Sequence, residues 1–206
     1  MFSRFVLYVF CLVWFRLSIK GKENLPGYGK YIFSSNHASH LDPILCGLAN
    51  PWPLNYIAKK ELFDIPVIGK LIKMYYSVPI DRGKGDLKAM KKAIEILNGN
   101  NPLLIYPEGT RSPDGNIQSP KRGIGFIVEK TNSPVIPCYI DGSYKAFKKN
   151  SKFIFPVKIR MLIGKPIYFD DLLNNKELAK DERQLAIAKR IIDEIKKLKA
   201  ELEKNN

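Results

Sequence analysis

The stretch KYIFSSNHASHLDPIL, residues 30–45, predicts a buried strand, a polar turn and the start of a helix. Its first six residues form a short apolar run that ends in polar residues, which is typical of a strand inside a sheet. Asp42 followed by Pro43 is typical of a helix N-cap and the first helical position. His37 and His40, the two histidines of the chain, therefore lie between a strand and a helix. Ligands bind at that edge of open α/β sheets, so we predict a site there.

Strand-like and helical segments alternate along the rest of the 206 residues. Further strands are predicted at 54–58, 75–80, 102–107 and 133–140, and two proline-interrupted ones, of edge or antiparallel type, at 153–164 and 165–169. Helices are predicted at 43–49, 86–97, 123–130 and 181–202. The alternation predicts an α/β fold, with a mixed, mostly parallel sheet covered by helices. An apolar content of 45% is enough for one domain with a substantial core.

The formal net charge of +14 indicates an anionic partner. Nucleic acid, an anionic membrane surface and a phosphate-bearing substrate all remain possible on charge alone, as does a merely solvated basic surface. The lysines and arginines are scattered, and no nucleic-acid-binding motif accompanies them. We therefore expect no nucleic acid partner.

An apolar run, FVLYVFCLVWF, occupies residues 5–15 between two arginines. It is too short to cross a bilayer, and no small-residue cleavage site follows it, so a spanning helix and a signal peptide are both disfavoured. A core helix remains an alternative. Aromatic and arginine residues suit the boundary between lipid and headgroups, so we expect residues 1–19 to form a short membrane-associated helix. Residues 20–206 would then form the main domain.

The three cysteines, Cys11, Cys46 and Cys138, have no paired spacing. A disulfide framework and a zinc site are therefore not predicted. Each cysteine is expected to be a small buried residue in a reducing compartment.

His37 and Asp42 are five residues apart, a spacing that a turn can close. A carboxylate that holds one ring nitrogen fixes the tautomer and leaves the other nitrogen able to accept a proton. A plain helix cap would also explain Asp42. A metal site at His37, His40 and Asp42 lacks further ligands. Ser39 has no Gly-x-Ser-x-Gly elbow of a nucleophile around it.

Two other predicted strands end in charged residues. IYPEGTRSPDG (105–115) places Gly109 and Arg111 after a strand, where glycine permits close backbone approach and arginine offers a fork to phosphate. VPIDRG (78–83) places Arg82 at an equivalent point. A Glu–Arg surface pair is the alternative for the first stretch. Three predicted strands of one sheet that end in charged or histidine residues favour a common site.

Four motifs in this order, NHASHLD, PIDR, PEGTR and VIP, resemble the blocks of the glycerolipid acyltransferases, over residues 20–165. Within that family the chain is most similar to the bacterial 1-acylglycerol-3-phosphate (lysophosphatidic acid) acyltransferases. The resemblance implies an enzyme that moves a fatty acyl group from a thioester, acyl-CoA or acyl carrier protein, to the free hydroxyl of lysophosphatidic acid. The product would be phosphatidic acid, formed by direct attack.

The resemblance also implies roles for individual residues. His37 would be the general base and Asp42 would orient it. The third block would bind the acceptor phosphate, together with Arg82 of the second block. A lysine of AKKEL would also contact this phosphate; Lys59 aligns best with the family position, and Lys60 is the alternative. The third-block residues are Glu108, Gly109, Thr110 and Arg111.

The implied reaction requires neither a metal nor another cofactor, because the thioester is a co-substrate. We expect the enzyme to lie on the cytoplasmic face of an anionic membrane, in a monotopic or peripheral manner. Related enzymes that acylate glycerol 3-phosphate or another lysophospholipid share these blocks. A non-catalytic module that binds anionic membranes is the alternative from a different class.

Overall fold

A five-stranded sheet forms the centre of the computed structural model, which describes residues 2–59, 77–80, 86–148, 151 and 153–204. The strands in the described part of the chain are β1 (Ser18–Lys20), β2 (Ile32–Ser35), β3 (Tyr56–Lys59), β4 (Ser77–Ile80), β5 (Leu103–Ile105), β6 (Val135–Asp141) and β7 (Arg160–Ile163). The order in the large sheet is β1-β7-β6-β2-β5. All neighbours are parallel except β6 and β7. The predicted mixed, mostly parallel sheet is thus confirmed.

Helices cover both faces of this sheet. They are α1 (Phe2–Trp14), α2 (Asp42–Ala49), α3 (Asp86–Asn98), α4 (Gly123–Thr131), α5 (Ser143–Ala146), α6 (Asp170–Leu173) and α7 (Lys180–Lys204), with a 3₁₀ turn at Lys22–Asn24. Successive residues of a strand point to opposite faces. Phe33 accordingly packs with residues of α1 and α2, and Ile32 with residues of α3, α4 and α7.

Several strand predictions differ from the structure. Residues 54–58 contribute to β3, which pairs with β4 in a separate two-stranded sheet and touches the large sheet through a bridge between Asn55 and Leu103. The antiparallel strand expected in 153–164 is limited to β7, and it is internal because β1 pairs with its far side. Residues 165–169 form no strand; Ile167 makes one isolated bridge to Val135. Pro156 and Pro166 lack the amide donor that a ladder would need at their positions.

Helix α1 has one face in the core and one face exposed. Cys11 on α1 and Phe15 just after it are buried in the same cluster as Phe33. On the opposite face, Phe5 is 66% exposed and Val13 is 75% exposed. The core interpretation of the apolar run therefore describes one side of the helix, and the membrane association expected for its exposed side stays a prediction.

The N-terminal segment is also tied to the sheet and to α2. The expected domain boundary after residue 19 falls inside β1, and Leu17 is buried in the core. The guanidinium of Arg4, expected to reach lipid headgroups, donates hydrogen bonds to the carbonyls of Asn50 and Pro51 at the end of α2. Carbonyls at a helix C-terminus attract a cation, which explains this contact. Within the described residues, no helix is long and apolar enough to cross a membrane.

The parallel strands bring the polar turns together. Ser34 of β2 lies in register with Ile105 of β5, and Ser35 lies in register with Cys138 of β6. The segments that follow these strands therefore leave the sheet on the same side, at the carboxyl ends of the strands. This side holds the histidine turn and the segment that contains Arg111.

Candidate active site

Asn36 continues β2 beyond its last ladder hydrogen bond. Its Nδ2 donates to the carbonyl of Ile140 at 3.0 Å, and its Oδ1 accepts the amide of Ile140 at 2.8 Å. The side chain thus replaces a strand residue as partner of β6, and it is buried. Asn36 was not among the predicted site residues, because its partner Ile140 lies 104 residues further along the chain. The two hydrogen bonds to Ile140 fix the position of the backbone at which the histidine turn begins.

His37 and Asp42 form the predicted pair. Asp42 Oδ2 lies 2.9 Å from His37 Nδ1, with the aspartate side chain fully buried and the imidazole 15% exposed. The same oxygen accepts the backbone amides of Ala38 and Ser39, each at 2.7 Å. With Nδ1–H donating to the carboxylate, Nε2 is the ring nitrogen that can accept a proton.

The prediction that Asp42 caps α2 is wrong. The helix begins at Asp42 itself, and its first amides receive no side-chain cap. The carboxylate turns instead towards the residues that precede it, because three donors of the turn converge on Oδ2. Asp42 therefore shapes the histidine turn and not the helix terminus.

The ring of Tyr106 supports the imidazole from one side. The two rings are stacked, with centroids 3.8 Å apart and planes 9° from parallel. Tyr106 leads from β5 into the PEGTR block, and burial raises the pKa of its hydroxyl well above the usual range. Stacking and the Asp42 hydrogen bond together restrict both the plane and the rotation of His37. Tyr106 was not among the predicted site residues.

Glu108 joins the two motifs through backbone hydrogen bonds. Its Oε1 accepts the amide of His37 at 2.8 Å, and its Oε2 accepts the amide of Gln118 at 2.9 Å. The carbonyl of His37 in turn accepts the amide of Ser112 at 2.7 Å. The backbone of the histidine is therefore held on both sides by the segment after β5. These contacts are those of a positioning residue, and the substrate-binding assignment of Glu108 stays a prediction.

Burial raises the pKa of Glu108 to about 6, and the hydrogen bonds from the Gln118 and His37 amides partly oppose this shift. The folded chain therefore binds this proton more readily than the unfolded chain, whose carboxyl has its ordinary pKa near 4.5. The loss of folding stability that results from burying the charged carboxylate is fully present above pH 6. It is relieved as the pH falls from about 6 towards 4.5.

We expect Glu108→Gln to lower kcat by about tenfold while leaving the melting temperature unchanged or higher at pH 7.5. A glutamine has one acceptor oxygen for two amides, so one of the two hydrogen bonds is lost, whereas the buried charge disappears. Steady-state kinetics and thermal melting measure the two effects, with the exposed Glu95→Gln as control. A raised KM for the acceptor with unchanged kcat would instead place the carboxylate on the substrate.

The turn after Glu108 brings Arg111 next to the histidines. Gly109 has φ +67°, a left-handed backbone conformation that strains residues with a Cβ, so glycine is favoured there, close to the side chain of Lys121. The guanidinium of Arg111 contacts the imidazole of His40. Burial lowers the pKa of Arg111, partly opposed by the charge of Asp42. Lys121, which sequence analysis did not select, adds a basic side chain beside this glycine.

Other predicted site residues are less defined. Thr110 is exposed on the same turn. Arg82 and Lys60 lie outside the described residues, and Lys59 is described only as the last residue of β3. All three cysteines are buried thiols, as predicted. In the ranges that the structure describes, no cluster of three or more His, Cys, Asp or Glu side chains could hold a metal ion.

Several known proteins are similar to this chain in sequence. The family model described as Acyltransferase matches residues 16–141. The 1-acyl-sn-glycerol-3-phosphate acyltransferase of Bacillus subtilis is 29% identical over 191 residues, which are 91% of this chain and 90% of that protein. The enzyme of the same name from Helicobacter pylori is 32% identical over 158 residues, 74% of this chain and 67% of its own. The chain spans about half the length of plant relatives such as that of Limnanthes alba.

A solved structure shows the same fold. The crystal structure of the 1-acyl-sn-glycerophosphate acyltransferase PlsC from Thermotoga maritima superposes with a TM-score of 0.71. It is 29% identical, and the match covers 89% of this chain and 72% of that one. The matched region of the family model contains the histidine turn, the PEGTR segment and most of the central sheet. This chain belongs to the acyltransferase family.

Proposed function

We propose that the chain transfers a fatty acyl group from acyl-CoA or acyl carrier protein to the free hydroxyl of 1-acylglycerol-3-phosphate. The observation that carries this proposal is the His37–Asp42 pair, buried on the carboxylate side and fixed by the segment that contains Glu108. The printed names of the bacterial relatives, whose matches cover most of this chain, support lysophosphatidic acid as the acceptor.

In this reaction His37 Nε2 accepts the proton of the acceptor hydroxyl as its oxygen attacks the thioester carbonyl. The new ester C–O bond forms and the C–S bond breaks. The leaving thiolate then takes the proton from the imidazolium, which returns the histidine to its starting state. Asp42 stabilises the imidazolium in between, with its charge fixed by two backbone amides.

The acceptor phosphate would bind on the side of the turn where Arg111 lies. A guanidinium forms charge-assisted, paired hydrogen bonds with phosphate oxygens. Gly109 and Thr110 shape the same turn. Lys59 and Arg82 are further candidates on the basis of the family motifs alone.

The exposed side of α1 would hold the enzyme against the cytoplasmic face of an anionic membrane. Its apolar side chains include Phe5, Val9, Phe10 and Val13. The inner side is anchored in the core by Cys11, so insertion need not unfold the domain. The net charge of +14 favours anionic headgroups.

Release of free thiol tests the proposed reaction. Acyl-CoA and acyl carrier protein thioesters are each offered with lysophosphatidic acid, and glycerol 3-phosphate and a lysolipid with a neutral headgroup are offered in parallel. We expect thiol release, and phosphatidic acid, with lysophosphatidic acid. A preference for glycerol 3-phosphate or another lysolipid would reassign the acceptor. No release with any pair would make the chain a non-catalytic membrane-binding module.

A further inference from the structure

A second exposed apolar surface lies far along the chain from α1. Phe153, Ile154 and Phe155 are consecutive and are 72%, 43% and 52% exposed. Large apolar side chains that cluster on a surface mark a contact with another apolar phase. The mechanism proposed above does not use them. We refer to these three residues as the FIF loop.

The FIF loop has an ordered backbone and an anchored base. The amide of Phe155 donates to the carbonyl of Ala146 at 2.9 Å, and the amide of Val157 donates to the carbonyl of Phe155 at 2.9 Å. Val157 packs against the core, and Ile159 is fully buried. The core therefore holds the base of the loop while its three apolar side chains remain exposed.

The segment that follows the loop contacts the end of α1. The amide of Ile159 donates to the carbonyl of Phe15 at 2.9 Å, and the amide of Ser18 donates to the carbonyl of Ile159 at 3.0 Å. Phe155 is four positions before Ile159, so its Cα lies within about 14 Å of the Cα of Ile159. A short stretch of chain therefore connects the end of the FIF loop to the end of α1.

The surroundings of the loop are basic. Residues 142–158 contain five lysines and no aspartate or glutamate. Among them, Lys145, Lys148 and Lys158 are exposed on either side of the loop. Exposed apolar side chains flanked by lysines are the combination that binds an anionic bilayer, where each cation near the surface adds to the attraction.

The segment before the loop touches the histidine turn. Ser39 Oγ donates to the carbonyl of Phe147 at 2.8 Å, and the rings of His40 and Phe147 are 5.4 Å apart. A membrane that contacts the FIF loop therefore comes close to the turn that carries His37. An acceptor lipid would then have a short path from the bilayer to the base.

We propose that the FIF loop is a second membrane-inserting element, with Lys145, Lys148 and Lys158 on anionic headgroups. The proposal rests on the membrane association proposed for α1 and adds a second point of attachment. Two points fix the orientation of the domain on the bilayer, whereas one helix leaves it free to rotate. The histidine turn then faces the lipid surface.

A fluorophore on the loop tests insertion directly. The three native cysteines are buried, so a thiol-reactive, environment-sensitive dye on Phe153→Cys labels the loop alone. We expect a blue shift on addition of vesicles made of equal parts phosphatidylcholine and phosphatidylglycerol. Tyr168→Cys, at a position 64% exposed elsewhere, is the matched control and should not shift. Equal responses at the two positions would overturn the proposal.

Vesicle sedimentation measures the contribution to binding. Combined Phe153→Ser, Ile154→Ser and Phe155→Ser should weaken binding by about 10- to 100-fold, because the apolar area that leaves water is lost. Leu87→Ser with Tyr168→Ser removes equally exposed apolar groups elsewhere and should have no effect. Val9→Ser with Val13→Ser tests α1 by itself. If only the α1 variant weakens binding, the FIF loop is not a membrane contact.

Activity separates this inference from the proposed function. The loop variant should retain its rate on a short-chain, water-soluble lysophosphatidic acid and lose rate on acceptor held in vesicles. An inactive wild-type protein on the soluble acceptor would contradict the proposed function and leave the dye result to decide the loop. Thermal melting of each variant confirms that it is folded.

Discussion

Replacing His37 with alanine is expected to lower kcat by about 10²–10⁴-fold, the usual contribution of a general base. The reason is that no other titratable side chain in the described turn is both held by a buried carboxylate and stacked on an aromatic ring. Thiol release from acyl-CoA with saturating lysophosphatidic acid measures the loss. His40→Ala is the matched control and should cost much less. Equal effects of the two substitutions would reject the assignment of the base.

Asp42 variants separate orientation from charge in the same relay. Oδ2 receives all three hydrogen bonds, and Oδ1 is buried with no hydrogen-bond partner within the described ranges. An asparagine can place its oxygen at the Oδ2 position and its amide nitrogen at the Oδ1 position, so Asp42→Asn keeps the three hydrogen bonds to Oδ2 and removes the charge. We expect Asp42→Asn to cost about tenfold, and Asp42→Ala to approach the loss for His37→Ala. If Asp42→Asn is as inactive as Asp42→Ala, the charge is the larger factor.

Arg111→Ala is expected to lower kcat/KM for lysophosphatidic acid by about 1.5–3 kcal/mol, or roughly 10- to 150-fold. The guanidinium lies beside the histidine turn and offers paired donors to the phosphate. Arg111→Lys should recover part of the loss, because lysine keeps the charge without the planar fork.

An acceptor without phosphate gives the decisive control for Arg111. Monoacylglycerol has the same free hydroxyl but no anionic group, so Arg111→Ala should change its kcat/KM very little. An equal loss for both acceptors would mean that Arg111 supports the histidine turn through His40. Unchanged kinetics with lysophosphatidic acid would remove Arg111 from the site.

Sequence patterns predicted the elements that carry the site because these depend on neighbouring residues. A short apolar segment that ends in two serines, followed by Asp42-Pro43, leaves little alternative to strand, turn and helix. The five-residue spacing of His37 and Asp42 likewise requires only that the turn fold back, as it does. The main helices also lie where the sequence predicted them.

Long-range pairing was outside the reach of those patterns. Three residues at 18–20 carry too little signal for a strand, and β1 exists because β7 offers it an open edge 142 residues later. Asn36 and Glu108 are similar cases: their roles depend on the amides of Ile140, His37 and Gln118. A buried polar group acquires its function from partners that only folding brings near.

The sequence by itself determined the fold class, the order of the motifs and the spacing that lets His37 meet Asp42, because each rests on local residue patterns. The role of His37 as the general base stays a prediction. The tertiary structure alone decided how these motifs are held. It placed the PEGTR segment beside the histidine turn, since parallel β2 and β5 end at one edge of the sheet. It also divided the apolar N-terminal run into a buried face and an exposed face, since a helix against a core can bury only one side.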